Sequence, residues 1–271
     1  MSRILLIDDD VQVNEVMKAT LEVLGHNVVA VEDPQKIAET LTTFHPDVTL
    51  VDYMLPGISG LDVLRELSHS DPHSIRYLAT GMADFRLLQR AVDAGASSLL
   101  SKPYRITDLV ALMDLAAQLA AALHAEQTPG NAADASLCLN FSMAETADMG
   151  DMIGQLISFA RSHGAEDDVA TRRLPLIAGA LVRNARVHGV AQGADSFTVE
   201  IEDSGTNFRL NVTDNGRGFD SQKAVARARS SMDKPCASGL QLVLALSNEL
   251  RFENNGCRAC VTLGKSGRET P

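Results

Sequence analysis

Five short apolar runs recur through the first hundred residues, and each is followed by a stretch with helical spacing. The runs at 3–7, 27–31, 47–51, 75–79 and 98–101 have the length of strands, while 11–24, 34–44, 60–69, 84–94 and 106–123 set apolar residues three and four apart. Such alternation predicts a parallel sheet with helices on both faces. The expected strand order is 2-1-3-4-5, an open flavodoxin-like (βα)5 arrangement. Local punctuation agrees. Asp10 caps the first helix, Gly25 ends it, Pro34 opens the second, and Pro56-Gly57 makes a turn.

A polar group stands just past the end of four of these runs: Asp8-Asp9, Asp52, Thr80 and Lys102-Pro103. In an open parallel sheet the carboxyl ends of the strands are where a site is built. Three acids, a hydroxyl and a lysine are therefore expected in one crevice. Clustered acids hold a hard cation such as Mg²⁺. A cation and a lysine beside one carboxylate equip a site for phosphoryl transfer.

Residues 128–136, Thr-Pro-Gly-Asn-Ala-Ala-Asp-Ala-Ser, have the composition of a linker. Beyond them, strands are expected at 137–142, 197–202, 207–213 and 256–263, and helices at 143–163, 171–188 and 238–250. This half reads as α+β, with helices on one face of a mixed sheet. The expected division is 1–125, a linker at 126–136, and 137–265. The alanine-rich helix from 106 to about 127 has a wider apolar stripe than one sheet edge needs. It either docks on its own domain or pairs with a second copy through 106–126, and the stripe alone does not choose.

The 271 residues suffice for two domains, and a net charge of −11 without a basic run argues against direct nucleic-acid binding. No apolar stretch is long enough to span a bilayer, and Met1-Ser2-Arg3 leads straight into a strand, so a cytoplasmic protein is expected.

Over residues 3–123 the chain resembles the receiver domain of two-component response regulators, on the strength of Asp8-Asp9, Asp52, Thr80 and Lys102-Pro103 in that order. The resemblance implies that Asp52 is the phosphoacceptor, taking its phosphoryl group from a phosphohistidine on a sensor kinase or phosphotransfer protein. Asp9 and Asp52 would ligate Mg²⁺ with the main-chain carbonyl of Met54, and Asp8 would act mainly through water. Lys102 would contact the phosphoryl oxygens, and Thr80 would be the switch hydroxyl. One position departs from the family: Leu99 stands where a tyrosine or phenylalanine normally moves with the threonine.

The second half contains Asp214-Asn215-Gly216-Arg217-Gly218, preceded by a helix with Asn184-Ala185-Arg186-Val187-His188-Gly189 and followed by Ser238-Gly239-Leu240-Gln241. Glycines let a backbone approach a flat ligand, a carboxylate accepts from an amine, and a helix N-terminus faces phosphate. Over about 137–264 this resembles the ATP-binding domain shared by histidine kinases, gyrase and Hsp90, most closely the anti-sigma-factor kinase type. The resemblance implies that Asn184 holds the nucleotide Mg²⁺, Asp214 pairs with the adenine amine, Gly216 and Gly218 line the base pocket, and Gly239 lies near the phosphates. Residues 220–237, with Lys223, Arg227, Arg229 and Lys234, would form a lid. The glutamate that activates the attacking group in this superfamily is replaced by Ala180, and Ala237 and Gln241 stand where glycines are common.

Three readings of the second half follow: an ATP-binding output that acts on an unidentified protein, a non-catalytic pseudokinase scaffold, or a kinase using another protein's histidine. Smaller signals add little. His124 with Pro129 echoes a phosphoacceptor motif, but too little chain separates it from Asn184. Cys257 and Cys260 fall in an expected strand, where residues three apart face opposite ways and share no metal. Cys138 and Cys236 have no paired spacing, and His163 and His188 read as helix-end residues.

Overall fold

The computed structural model describes residues 1–70, 74–104, 109–110, 113, 116, 135–143, 149–230 and 238–266, which fall into two compact units. In the first, β1 (Arg3–Ile7), β2 (Asn27–Val31), β3 (Val48–Asp52), β6 (Ile75–Thr80) and β7 (Ser98–Ser101) form a five-stranded sheet ordered β2-β1-β3-β6-β7. Every pairing is parallel, with Ile7 opposite both Val31 and Val51, Asp52 opposite Ala79, and Thr80 opposite Ser101. This is the expected order. A two-strand hairpin, β4 (Met54–Leu55) with β5 (Ile58–Ser59), encloses the Pro56-Gly57 turn.

Helices α1 (Val11–Val23), α2 (Ile37–Phe44), α3 (Gly60–Ser70) and α4 (Phe85–Asp93) connect the strands. The Asp10 carboxylate accepts the N–H groups of Gln12 and Val13 at 2.9 and 3.2 Å, and Asp84 accepts that of Leu87 at 2.7 Å, so two helices begin at side-chain caps. The central strands are mostly apolar because helices cover both faces; Leu5, Val51 and Leu78 are wholly buried, and the buried Arg76 of β6 donates from Nε to the Gly95 carbonyl at 2.9 Å. Leu109, Met113 and Ala116 are helical and buried, as the stripe of the 106–123 helix predicts. The rest of that helix, the 106–126 pairing surface, the linker up to residue 134 and the His124–Pro129 segment lie outside the described residues.

In the second unit, β8 (Ser136–Ser142), β9 (Ser196–Asp203), β10 (Asn207–Asp214), β11 (Glu249–Glu253) and β12 (Arg258–Gly264) form an antiparallel sheet ordered β11-β12-β10-β9-β8. Alternation sorts its residues. Phe197, Val199, Ile201, Phe208, Leu210, Val212 and Val261 are buried on one face. The other face carries ion pairs such as Arg209–Glu202 and Arg258–Glu200, both at 3.3 Å. Helix α5 (Met149–Ser162) lies on the apolar face, where Phe159 meets Phe208 edge to face at 6.2 Å. Helix α6 (Leu174–Asn184) has a π-helical turn at each end, Val169–Arg173 and Ala185–Gly189.

Three expectations change. The second unit's sheet, expected to be mixed, is antiparallel in every pairing. The helix expected over 238–250 is α8 (Gly239–Leu246), and β11 follows it. Its last turn is closed by the buried Arg173, whose Nε donates to the Leu246 carbonyl at 3.0 Å, and Ser247 is already extended. Leu250 and Phe252 alternate with charged neighbours, which is a strand pattern that the apolar run before them obscures. Within the 220–237 segment, Ser221–Ser230 is a helix, α7, while Lys234, Cys236 and Ala237 lie outside the described residues. Among the described residues no helix is long and apolar enough to cross a membrane.

Candidate functional site

Parallel register brings the ends of β1, β3, β6 and β7 to one edge, and the polar residues arrive with them. Asp8 and Asp52 are buried and Asp9 is exposed, and one carboxylate oxygen from each lies within 4.8 Å of the others. Lys102 Nζ bridges Asp8 Oδ2 at 2.5 Å and Asp52 Oδ1 at 2.7 Å. Backbone N–H groups hold the carboxylates in place: Asp10 donates to Asp8 Oδ1 at 3.1 Å and Met54 to Asp52 Oδ2 at 3.0 Å. The Asn14 amide donates to the Asp8 carbonyl at 2.7 Å, pinning the loop to α1. Thr80 is 3% exposed, its Oγ1 accepts the Met82 N–H at 3.1 Å, and its carbonyl accepts the Lys102 N–H at 2.8 Å.

Burial raises the Asp8 pKa, and Lys102 only partly offsets that. Burial pulls Lys102 down, but its hydrogen bonds to Asp52 and Asp8 outweigh it and the ammonium is held above its ordinary value. The structure adds two residues that sequence reasoning passed over. Tyr104 lines a small cavity with Asp8, Asp52 and Asn14, and burial followed by the two carboxylates pushes its phenol up. Gly60, at the start of α3, comes so close that a Cβ there would sit 2.1 Å from the Asp52 carbonyl oxygen. A tyrosine after Lys-Pro and a glycine after a hairpin carry no signal of their own. Leu99 is fully buried on β7, paired with Leu78.

In the second unit the predicted residues gather in two groups. Asp214 ends β10, and its Oδ1 accepts the Gly216 N–H at 2.9 Å. Gly189 lies against it, since a Cβ on Gly189 would be 3.3 Å from the Asp214 carboxyl carbon. Gly218 has φ +76°, and a Cβ on it would be 2.2 Å from the Asn255 carbonyl oxygen, so backbone conformation and space both demand glycine. The other group surrounds Gly239 at the start of α8. A Cβ there would lie 3.2 Å from Asn184 Oδ1, 3.4 Å from Arg183 Nη2 and 3.5 Å from Ala180 Cβ. Ala180 and Asn184, one turn apart on α6, thus face the same point.

Gln241 is buried and does two things. It completes a capping box with Ser238, its Oε1 accepting the Ser238 N–H at 2.7 Å and its own N–H donating to Ser238 Oγ at 3.3 Å. Its Nε2 also donates to the Ala228 carbonyl at 3.1 Å, tying α7 to α8. Lys223 is paired with Asp220 at 2.9 Å. Cys257 precedes β12 and its thiol donates to the Gly216 carbonyl at 3.1 Å, while Cys260 lies within the strand, and both are free.

Two family models match the chain: the response regulator receiver domain over residues 4–114, and the histidine kinase-like ATPase domain over 143–265. The chain is 32% identical over 103 residues to a cyclic di-GMP phosphodiesterase of Thermotoga maritima, covering 38% of this chain and 27% of that protein. It is 29% identical over 140 residues to the response regulator MprA of Mycolicibacterium vanbaalenii, covering 52% and 58%. It therefore spans less than two thirds of either relative. Among solved structures, a response regulator receiver domain protein from Clostridium thermocellum is 30% identical, with 43% of this chain and 94% of that one covered and a TM-score of 0.41.

Proposed function

We propose, from the premise that this chain carries a response regulator receiver domain followed by a histidine kinase-like ATPase domain, that it is a two-component switch with an ATP-binding output. In this reading the receiver occupies 1–125, the linker 126–136 and the ATP-binding domain 137–265, and the setting is cytoplasmic. The observation that carries the first half is Lys102 bridging two buried carboxylates at adjacent strand ends.

Asp52 attacks the phosphorus of a phosphohistidine on a sensor kinase or phosphotransfer protein. The new P–O bond forms as the P–N bond breaks, and the imidazole leaves with the bonding pair. Lys102 moves one of its N–H donors from Asp52 to the phosphoryl oxygens as a point charge. The Thr80 hydroxyl turns to donate to the same group, releasing the Met82 N–H and shifting the loop before α4. The clustered oxygens fit a small hard cation: Asp9, Asp52 and the Met54 carbonyl would hold Mg²⁺, with Asp8 acting through water. Bound there, it offsets the repulsion between carboxylate and phosphoryl group.

In the second domain, Asp214 with Gly216 and Gly218 would take the adenine, and Asn184 with Gly239 the phosphate side. The output acts on a protein partner. A non-catalytic scaffold that docks its partner in a phosphorylation-dependent way is the second reading, favoured by the Ala180 methyl group beside Gly239 where a base would be needed. The test is an ATP titration of the full chain and of Asp214→Ala, with and without beryllofluoride on Asp52. The wild type is expected to bind ATP with an affinity that beryllofluoride changes, and Asp214→Ala to bind at least about tenfold more weakly. Equal, negligible affinity throughout removes ATP from the function. In parallel, Asp52→Asn should abolish labelling by acetyl phosphate, and retained labelling would reassign the acceptor.

A further inference from the structure

We infer that Arg183 is the cation for the phosphates in the second domain, so that the nucleotide binds there without a divalent metal ion. The inference rests on the nucleotide-binding reading above.

Arg183 Nη2, Asn184 Oδ1 and the Ala180 methyl group all face the backbone of Gly239, within 3.2–3.5 Å of where its Cβ would be. The guanidinium is exposed, and among the described residues it has no hydrogen-bond or ion-pair partner. The helical backbone continues from α6 through Ala185–Gly189, so Arg183 lies within a longer helix, and its exposure alone accounts for an arginine being tolerated there. That does not account for its lying against the first residue of another helix.

The first turn of α8 is poorly stocked with donors. The capping box uses the Ser238 and Gln241 N–H groups, and Leu242 N–H bonds to the Ser238 carbonyl, leaving those of Gly239 and Leu240. Two amides do not offset the charge of a di- or triphosphate, and the forked guanidinium beside them adds a cation suited to phosphate oxygens. A divalent ion on Asn184 Oδ1 would instead sit a few ångströms from that guanidinium, where like charges repel. With a methyl group at Ala180 there is no carboxylate to activate an attacking hydroxyl or water. The arrangement suits holding a nucleotide and not cleaving it.

The test is calorimetric titration of the full chain with ATP and with adenosine, in magnesium and in EDTA. Wild type is expected to bind ATP with equal affinity in both buffers. Arg183→Ala should weaken ATP by about tenfold or more, the loss of one charged hydrogen-bonding partner, and leave adenosine unchanged. Arg183→Lys should recover part of the loss. Undiminished ATP binding by Arg183→Ala would overturn the role of Arg183, and wild-type ATP binding weakened in EDTA would overturn metal-free binding, while retained adenosine binding leaves the nucleotide pocket standing. Wild type that binds neither ATP nor adenosine overturns both.

Discussion

Lys102 shows how one side chain sets the electrical state of the receiver pocket. It pairs with two buried acids at once, and its pKa is raised. A raised lysine pKa contributes stability that is complete below the unfolded value of 10.5 and is lost as pH climbs through the folded value. The wild type should therefore lose receiver stability in the strongly alkaline range, and Lys102→Met should lack that component. At neutral pH the variant leaves Asp8 and Asp52 facing each other unpaired. A cost on the order of 2 kcal/mol is expected, less than for a fully buried pair because the lysine side chain is 25% exposed. Asp8 adds the same trend on the acid side: its raised pKa favours the folded state at low pH, and that contribution fades as pH rises through its folded pKa. Urea unfolding followed across pH measures all three effects, and a variant as stable as wild type at neutral pH would contradict the account. At this scale, the acids and the lysine were legible because each follows an apolar run. Arg183 was not, since an arginine near a helix end reads as a solvated charge until the fold sets Gly239 beside it.

The elements follow the same division. The parallel sheet was readable from period and punctuation, because buried strands are mostly apolar and a polar residue marks where four of them end. The run from Gly239 to Leu250 misled, since its apolar density continues past the point where Arg173 and Ser247 stop the helix. Helix α7 falls in the segment that the family resemblance assigns to a lid, and its exposed side is charged and polar, with Ala228 its one buried residue. What joins α7 to α8 is Gln241. Gln241→Ala removes its bonds to Ser238 and Ala228 and should cost about 1–3 kcal/mol, split between cap and buried amide. Hydrogen exchange should quicken in 221–230 and spare β9 and β10. Unchanged protection of α7 would show that the bond does not hold it.

For the whole molecule, two units with separate cores predict two separable functions. A fragment ending at residue 125 should keep acyl-phosphate labelling, and one spanning 137–265 should keep whatever adenosine affinity the full chain has. If phosphorylation tunes nucleotide affinity by some factor, the nucleotide must tune phosphoryl-mimic affinity by the same factor, and only in the joined chain. Matched titrations of both ligands check this, and an unequal pair of factors would mean the effect is not equilibrium coupling. The buried Leu99 bears on how such a message leaves the pocket. In the proposed switch, with an aliphatic side chain where a ring would swing, Thr80 is left as courier, and a device with a single courier has no backup. On that proposal, whatever stills that hydroxyl would silence the downstream listener even while Asp52 went on being charged and discharged.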